Sequence, residues 1–217
     1  MYPQSLPSVE QRAAEALVPF AYNAQDEDAL TGLPNRRALN DALTSAIQDE
    51  RLAGNFAVVV VDLNDFKEGV NDLHGHEEGD RYLENAAGAL RDSIRPDDVA
   101  SVVTRFGGDE FVLLLSGVHE TSTLDQIIDR LHTNLDEIGV PNAMGGKVHE
   151  LGETATQLLV AADKRMYAHK TKQRIENLSP EQISAYQRID EIAREADISL
   201  RSIAATIAAL RSSVVGG

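Results

Sequence analysis

Three carboxylates carry most of the chemistry legible in this 217-residue chain. Asp109 and Glu110 follow two glycines in Arg105-Phe106-Gly107-Gly108-Asp109-Glu110-Phe111. Asp62 follows the apolar run Phe56-Ala57-Val58-Val59-Val60-Val61 and precedes Leu63-Asn64-Asp65-Phe66-Lys67. Acidic side chains are poor strand formers, so two beside a turn point to a task other than folding. Hard divalent cations take carboxylate oxygens, and glycine lets a phosphate approach the backbone closely. A carboxylate at a strand end beside an acidic hairpin suits metal-assisted phosphoryl transfer. Lys67 adds a point charge for phosphate. Taken singly, each piece also reads as a turn residue or a solvated turn.

The flanking pattern supplies elements that can bring these groups together. Residues 56–61 are continuously apolar and rich in β-branched side chains, which predicts a strand buried on both faces. Apolar runs at 99–103 and 111–115 flank the glycines and predict a hairpin. Leu39, Leu43 and Ile47 predict an inward helix face over 37–51. Leu83, Ala87, Leu90 and Ile94 do so over 77–94, and Ile127, Ile128, Leu131 and Leu135 over 124–138. A fourth domain helix is predicted over 154–171. Between the last two, Ala143-Met144-Gly145-Gly146-Lys147 has no β-branched residue, and predicts a short strand on an irregular sheet edge. The order βαββαβ gives an α+β fold, a ferredoxin-like antiparallel sheet flanked by helices.

Residues 1–25 read as a tail and a helix from Ser8 to about Tyr22. Ser179-Pro180 opens a helical extension over 176–217, with proline at the first helical position. Its stripe at Ile183, Tyr186 and Ile189 gives way to Leu200, Ile203, Ile207, Leu210 and Val214, whose alternating spacings suit a coiled-coil seam. The extension either packs back as a helical hairpin or joins two chains.

Four blocks in order resemble the GGDEF-domain diguanylate cyclases. They are Asp28-Ala29-Leu30-Thr31-Gly32-Leu33-Pro34-Asn35-Arg36-Arg37, then Asp62 to Asp80 with Phe66-Lys67, Asn71-Asp72, Gly75-His76 and Gly79-Asp80. Gly107 to Phe111 is the third, and Ala162-Asp163-Lys164-Arg165-Met166-Tyr167-Ala168-His169-Lys170 the fourth. The likeness covers residues 26–175 and implies a palm-type catalytic domain. It implies condensation of two GTP into cyclic di-GMP with release of pyrophosphate, by a homodimer using Mg²⁺ or Mn²⁺. By position, Asp62, Glu110 and the Leu63 carbonyl resemble the metal ligands. Asp109 resembles the residue that binds metal or activates the attacking hydroxyl. Asn71 and Asp80 resemble the guanine-reading pair, whose donors and acceptors match that base edge. Lys67, Lys170 and Arg174 resemble the phosphate contacts, with the backbone near Asp65 and Phe66 close to phosphate.

The chain departs from that pattern at three places. One extra residue lies between Lys67 and Asn71, with Gly69 the natural insertion. Asn64 stands where the family often has a second Asp. At the spacing of the family's R-x-x-D inhibitory site stand Asp98 and Ser101. Arg95-Pro96-Asp97-Asp98 spells that motif three residues upstream, and reads better as a helix end and turn. Weak product inhibition is therefore expected.

Composition sets outer limits. A formal net charge of −15 argues against binding a nucleic-acid polymer, which needs basic patches, and against docking on anionic lipid. The chain has no cysteine, which excludes disulfides and thiolate zinc sites. No run of about 20 apolar residues predicts membrane insertion, and no secretory signal is apparent. A cytoplasmic protein without a sensor domain of its own is expected.

Overall fold

In a computed structural model, the apolar run becomes the central strand of a four-stranded antiparallel sheet. The structure describes residues 24–49, 52, 54–64, 66, 75–94, 102–176, 178, 179, 181, 182, 184 and 188. The expected N-terminal helix, the Arg95–Asp98 stretch, the Gly69 insertion and the second C-terminal stripe lie outside them. Strand β1 is Phe56–Leu63, β2 Val102–Gly107, β3 Glu110–Ser116 and β4 Asn142–Val148. Helix α1 is Arg36–Gln48, α2 His76–Asp92, α3 Thr121–Glu137 and α4 Ala155–Glu176. The sheet order β2-β3-β1-β4 is that of the ferredoxin-like βαββαβ core, as expected.

The sheet has a core on each face, so β1 is apolar at every position up to Asp62. Ala57, Val59, Val61 and Leu63 join Leu83, Leu90, Leu124 and Leu131 of α2 and α3 on one side. Phe56, Val58 and Val60 join Leu39 and Leu43 of α1 and Leu158, Ala162 and Met166 of α4 on the other. Alternation along a strand has period 2, so a one-residue slip would exchange the two cores. The register is accordingly unbroken: β1 pairs with β3 from Phe56↔Ser116 to Asp62↔Glu110. It pairs with β4 from Ala57↔Val148 to Leu63↔Asn142.

Strand β4 corrects the expectation of an irregular edge, since it pairs with β1 over seven consecutive positions. Its glycines exist for close approach rather than for bending. A Cβ on Gly145 would lie 2.0 Å from the Met166 backbone nitrogen of α4. On Gly146 it would meet the Ile128 side chain at 2.7 Å. The missing side chains let helices settle on both faces of this strand.

Residues 171–217 cluster as a second compact unit. Within it Ser179 starts a helical turn, as its sequence predicts. Ser179 Oγ accepts from the Gln182 amide at 3.3 Å and Gln182 Oε1 accepts from the Ser179 amide at 2.8 Å. This reciprocal pair is a capping box. No helix among the described residues is long and apolar enough to cross a membrane.

The two β4 glycines predict unequal costs. Gly145→Ala must push apart two backbones and is expected to lose about 3 kcal/mol or more, whereas Gly146→Ala displaces only side-chain ends and is expected to lose about 1 kcal/mol. Urea unfolding measures both, and equal losses would contradict the backbone contact.

Candidate active site

The first sequence block builds a clamp on the acidic hairpin. Asp28 Oδ1 accepts from the Thr31 amide at 2.9 Å and from its hydroxyl at 2.8 Å, closing a tight turn. Asn35 caps α1 by accepting from the Arg37 and Ala38 amides, a stabilising role for this residue type. The Arg105 amide donates to the Pro34 carbonyl at 3.0 Å. Its guanidinium donates to both Asp28 oxygens, at 3.0 and 3.2 Å. The same group reaches the Gly108 carbonyl through Nε and Nη2, at 3.1 and 2.9 Å. One side chain thus ties the 28–31 turn to the turn that presents Asp109. Burial opposes ionisation of Asp28, but hydrogen bonds from Thr31 and Arg105 outweigh it and hold its pKa below the usual carboxylate range.

The hairpin turns at Gly108-Asp109, with Gly107 paired to Glu110 and a bulge between Arg105 and Gly107. Gly108 has φ +56°, a left-handed conformation that costs glycine little. The Leu63 amide donates to the Asp109 carbonyl at 3.1 Å. That bond makes the adjacent Asp62↔Glu110 pair a non-hydrogen-bonded one, the closer of the two antiparallel spacings, with Cα atoms about 4.5 Å apart. Asp62 and Glu110 therefore face each other from neighbouring strands, with Asp109 one residue away.

Lys170 on α4 forms an ion pair with Asp62, which brings a cation to the cluster. The remaining acids are not neutralised. Burial raises the pKa of Asp109, the Asp62 charge raises it further, and Lys170 and Arg105 only moderate it. Burial likewise raises Glu110, helped by Asp109, Asp62 and Asp163 and opposed by Lys170.

Of the other expected site residues, Phe66, Asp80 and Arg174 are among those described. Phe66 is buried, its ring 5.8 Å from that of Tyr82, so its side chain serves the core. Asp80 is exposed near the start of α2. The N-cap position of that helix is Gly75, with no side-chain capping hydrogen bond. Arg174 is exposed in the last turn of α4. Lys67, Asn71 and Asp65 lie outside the described residues.

Three residues near the acids were given no role from sequence. Asp28 and Arg105 are separated by 77 positions, and nothing local signals their pairing. Asp163 was legible in principle. It precedes Lys170 by seven residues, about two helical turns, on the same face.

The donor set suits a hard cation. All the donors are oxygens, two carboxylates are directly opposed, and mutual repulsion raises two of the three acids. Added positive charge relieves such a cluster. Among the described residues no three His, Asp or Glu side chains are already arranged around a metal position. Asp62 is engaged by Lys170 instead.

The sequence model of the family "Diguanylate cyclase, GGDEF domain" matches residues 25–176. The chain belongs to the GGDEF domain family. It is 38% identical over 165 residues to diguanylate cyclase DgcS of Shewanella oneidensis, covering 72% of this chain and 54% of DgcS. It is 35% identical over 175 residues to MucR of Pseudomonas aeruginosa, a bifunctional diguanylate cyclase/cyclic di-GMP phosphodiesterase, covering 75% of this chain and 24% of MucR. The chain thus spans about half, or less, of these relatives. A sensory box/GGDEF family protein from Caulobacter crescentus has the same fold, with TM-score 0.60 at 32% identity. That match covers 68% of this chain and 99% of the other. The palm-like GGDEF fold expected from the four blocks is the one observed.

Two predictions follow from the clamp and the cluster. Arg105→Ala removes charged hydrogen bonds to two turns and is expected to cost about 2–3 kcal/mol in urea unfolding. A loss below the level of ordinary surface substitutions would mean that the turns hold themselves. For the acids, a raised folded pKa means that the folded chain binds protons more tightly than the unfolded one. Their contribution is then most favourable below the unfolded pKa and is lost as pH rises through the folded value. Glu110→Gln should therefore stabilise the metal-free protein at neutral pH by a few tenths to about 1 kcal/mol. That gain should vanish below the carboxylate range. A gain that persists unchanged at low pH would remove repulsion as its cause.

Proposed function

We propose that this chain is a diguanylate cyclase, condensing two GTP into cyclic di-GMP and releasing two pyrophosphates. Residues 26–175 are the catalytic domain, and 1–25 and 176–217 flank it in the sequence. What supports the reading is the facing pair Asp62↔Glu110, beside Asp109, in a chain of this family. Asp62, Glu110 and the Leu63 carbonyl would hold Mg²⁺ or Mn²⁺. The bound ion supplies charge that polarises the α-phosphate and eases ionisation of the attacking hydroxyl.

The chain's own groups do the rest. Asn71 and Asp80 read the guanine edge, and an adenine there would leave polar groups unpaired. Lys67, Lys170, Arg174 and the backbone at Phe66 bind phosphate. Lys170 neutralises Asp62 and, two turns along the same helix from Asp163, would also lie within reach of a bound triphosphate. Asp109, with its raised pKa, takes the proton of the 3′-hydroxyl or would supply a third carboxylate to the metal.

Two copies of the chain face each other as a homodimer, each holding one GTP. Each 3′-oxygen bonds to the α-phosphorus of the other nucleotide as the bond to the β-phosphate breaks and pyrophosphate departs. Catalysis is then chiefly positioning and charge neutralisation. The reaction is placed in the cytoplasm, where GTP is supplied.

A second reading is a GTP-binding regulatory module without turnover. The Lys170–Asp62 ion pair favours it, because it engages a proposed metal carboxylate. Incubation of GTP, Mg²⁺ and protein followed by chromatography separates the two. Cyclic di-GMP formation that falls by a factor of at least about 100 in Glu110→Gln is expected, the scale on which loss of one charge-stabilising group acts. Retained turnover in that variant would refute the metal assignment. Tight GTP retention without product in the unaltered protein would favour the module.

A further inference from the structure

A second polar site lies at the end of the sheet opposite the acids. The acids sit where β1 ends, whereas this cavity lies where β1 begins and β4 ends. It has a volume of 240 Å³, and its walls include Gly54, His119, Lys147, His149, Glu150 and Arg165. Acids outnumber lysine and arginine 35 to 20 in the chain. Here the acidic excess is absent: two permanent cations and two histidines line the cavity with one carboxylate, Glu150, and a second, Glu153, lies 3.8 Å from Lys147.

The cations are built into the fold. Lys147 leaves β4 beside the two glycines, and its side chain is only 13% exposed. Its ammonium donates to the Val148 carbonyl at 2.9 Å, pairs with Glu150, and lies 3.8 Å from the Glu153 carboxylate. Arg165 on α4 donates one N–H to the Gly146 carbonyl, which leaves the rest of its planar fork for an oxyanion. His149 is fastened as a wall, stacked on Phe56 at 4.4 Å. Its Nδ1 accepts from the Gly54 amide and its Nε2 donates to the Glu153 carbonyl.

Glu150 shows what this site accepts. Its side chain is 77% exposed, yet its carboxylate comes in to Lys147, whose hydrogen bond and charge lower its pKa. An oxyanion tethered at the rim already occupies the cation. We propose that this cavity binds a small phosphate-class oxyanion, held by Lys147 and Arg165, with Glu150 as the internal occupant that yields. Pockets for organic ligands usually run from about 300 to 1,000 Å³. A cavity of 240 Å³ therefore suits free phosphate or a phosphomonoester head, not a dinucleotide.

Calorimetric titration of the full chain with inorganic phosphate, without divalent metal, tests this. Saturable binding is expected. Arg165→Gln and Lys147→Gln should each weaken it about tenfold, as loss of one charge-assisted contact implies. Glu150→Gln should tighten it by removing the competitor. Lys147 is half-buried and its variant can misfold; Arg165 is exposed, so its variant decides. Lys170→Gln locates the ion. Unchanged phosphate affinity there places it at this cavity, whereas loss assigns it to the acid cluster and overturns the proposal. Absence of binding at millimolar phosphate, or unaltered affinity in Arg165→Gln, also overturns it. Glycerol phosphate distinguishes the source: tighter binding than phosphate identifies an organic ester, and equal binding identifies the free ion.

Discussion

Like charges at the closest cross-strand spacing are the constraint around which this domain is organised. Asp62 and Glu110 face each other at a non-hydrogen-bonded position, an arrangement that costs stability in any sheet. The strands cannot relieve it by slipping. Six apolar positions of β1, from Phe56 to Val61, are buried on alternate faces against different helices. A shift of one residue would exchange the two cores and set each side chain against the wrong helices. Burying one Val, Leu or Phe side chain contributes roughly 1.5–3 kcal/mol, so the summed cores outweigh one repulsive pair several times over. The core imposes the register, and the register imposes the charge cluster.

The same logic explains why the first sequence block lies so far from the acids in the chain and yet serves them. A two-residue turn has little structure of its own to fix the direction of Asp109. Arg105 fixes the turn by gripping the Gly108 carbonyl, and Asp28 fixes Arg105. Asp28 is itself held by Thr31. On the far side, the Leu63 amide holds the Asp109 carbonyl. The acidic turn is pinned from both neighbours before any ligand arrives, which lowers the entropic cost of assembling a site there.

Local patterns were legible in the sequence, and long-range pairings were not. Continuous apolarity gave β1, paired glycines gave the β2–β3 turn, and spacings of three and four gave the inward faces of α1, α2 and α3. Strand β4 was misjudged because Gly145 and Gly146 are poor strand formers taken locally. Their reason is the α4 backbone against one and Ile128 against the other, contacts invisible to any window of sequence. The carboxylates were found because their placement beside strand ends violates propensity. Their cation was assigned to phosphate, and its hold on Asp62 across 108 residues could be known only from the fold. Asp28 was seen as a motif letter but not as the partner of Arg105, for the same reason.

The acids of this chain divide by how completely the fold satisfies them. Asp28 has hydrogen bonds from Thr31 and Arg105, and its pKa falls; Asp26 has an ion pair with Arg37 at 2.6 Å. These are structural, since each carboxylate is held by a guanidinium. Asp109 and Glu110 are more deeply buried, which is the largest reason that their pKa values rise, and the acids around them raise them further. A fold that can neutralise Asp28 so fully has the means to neutralise Glu110, and here it does not. Lys170 answers only part of the repulsion. A cluster left short of positive charge is one that gains free energy when a cation enters. That deficit, more than the identity of any single residue, separates the acids that hold the hairpin from those that face the site.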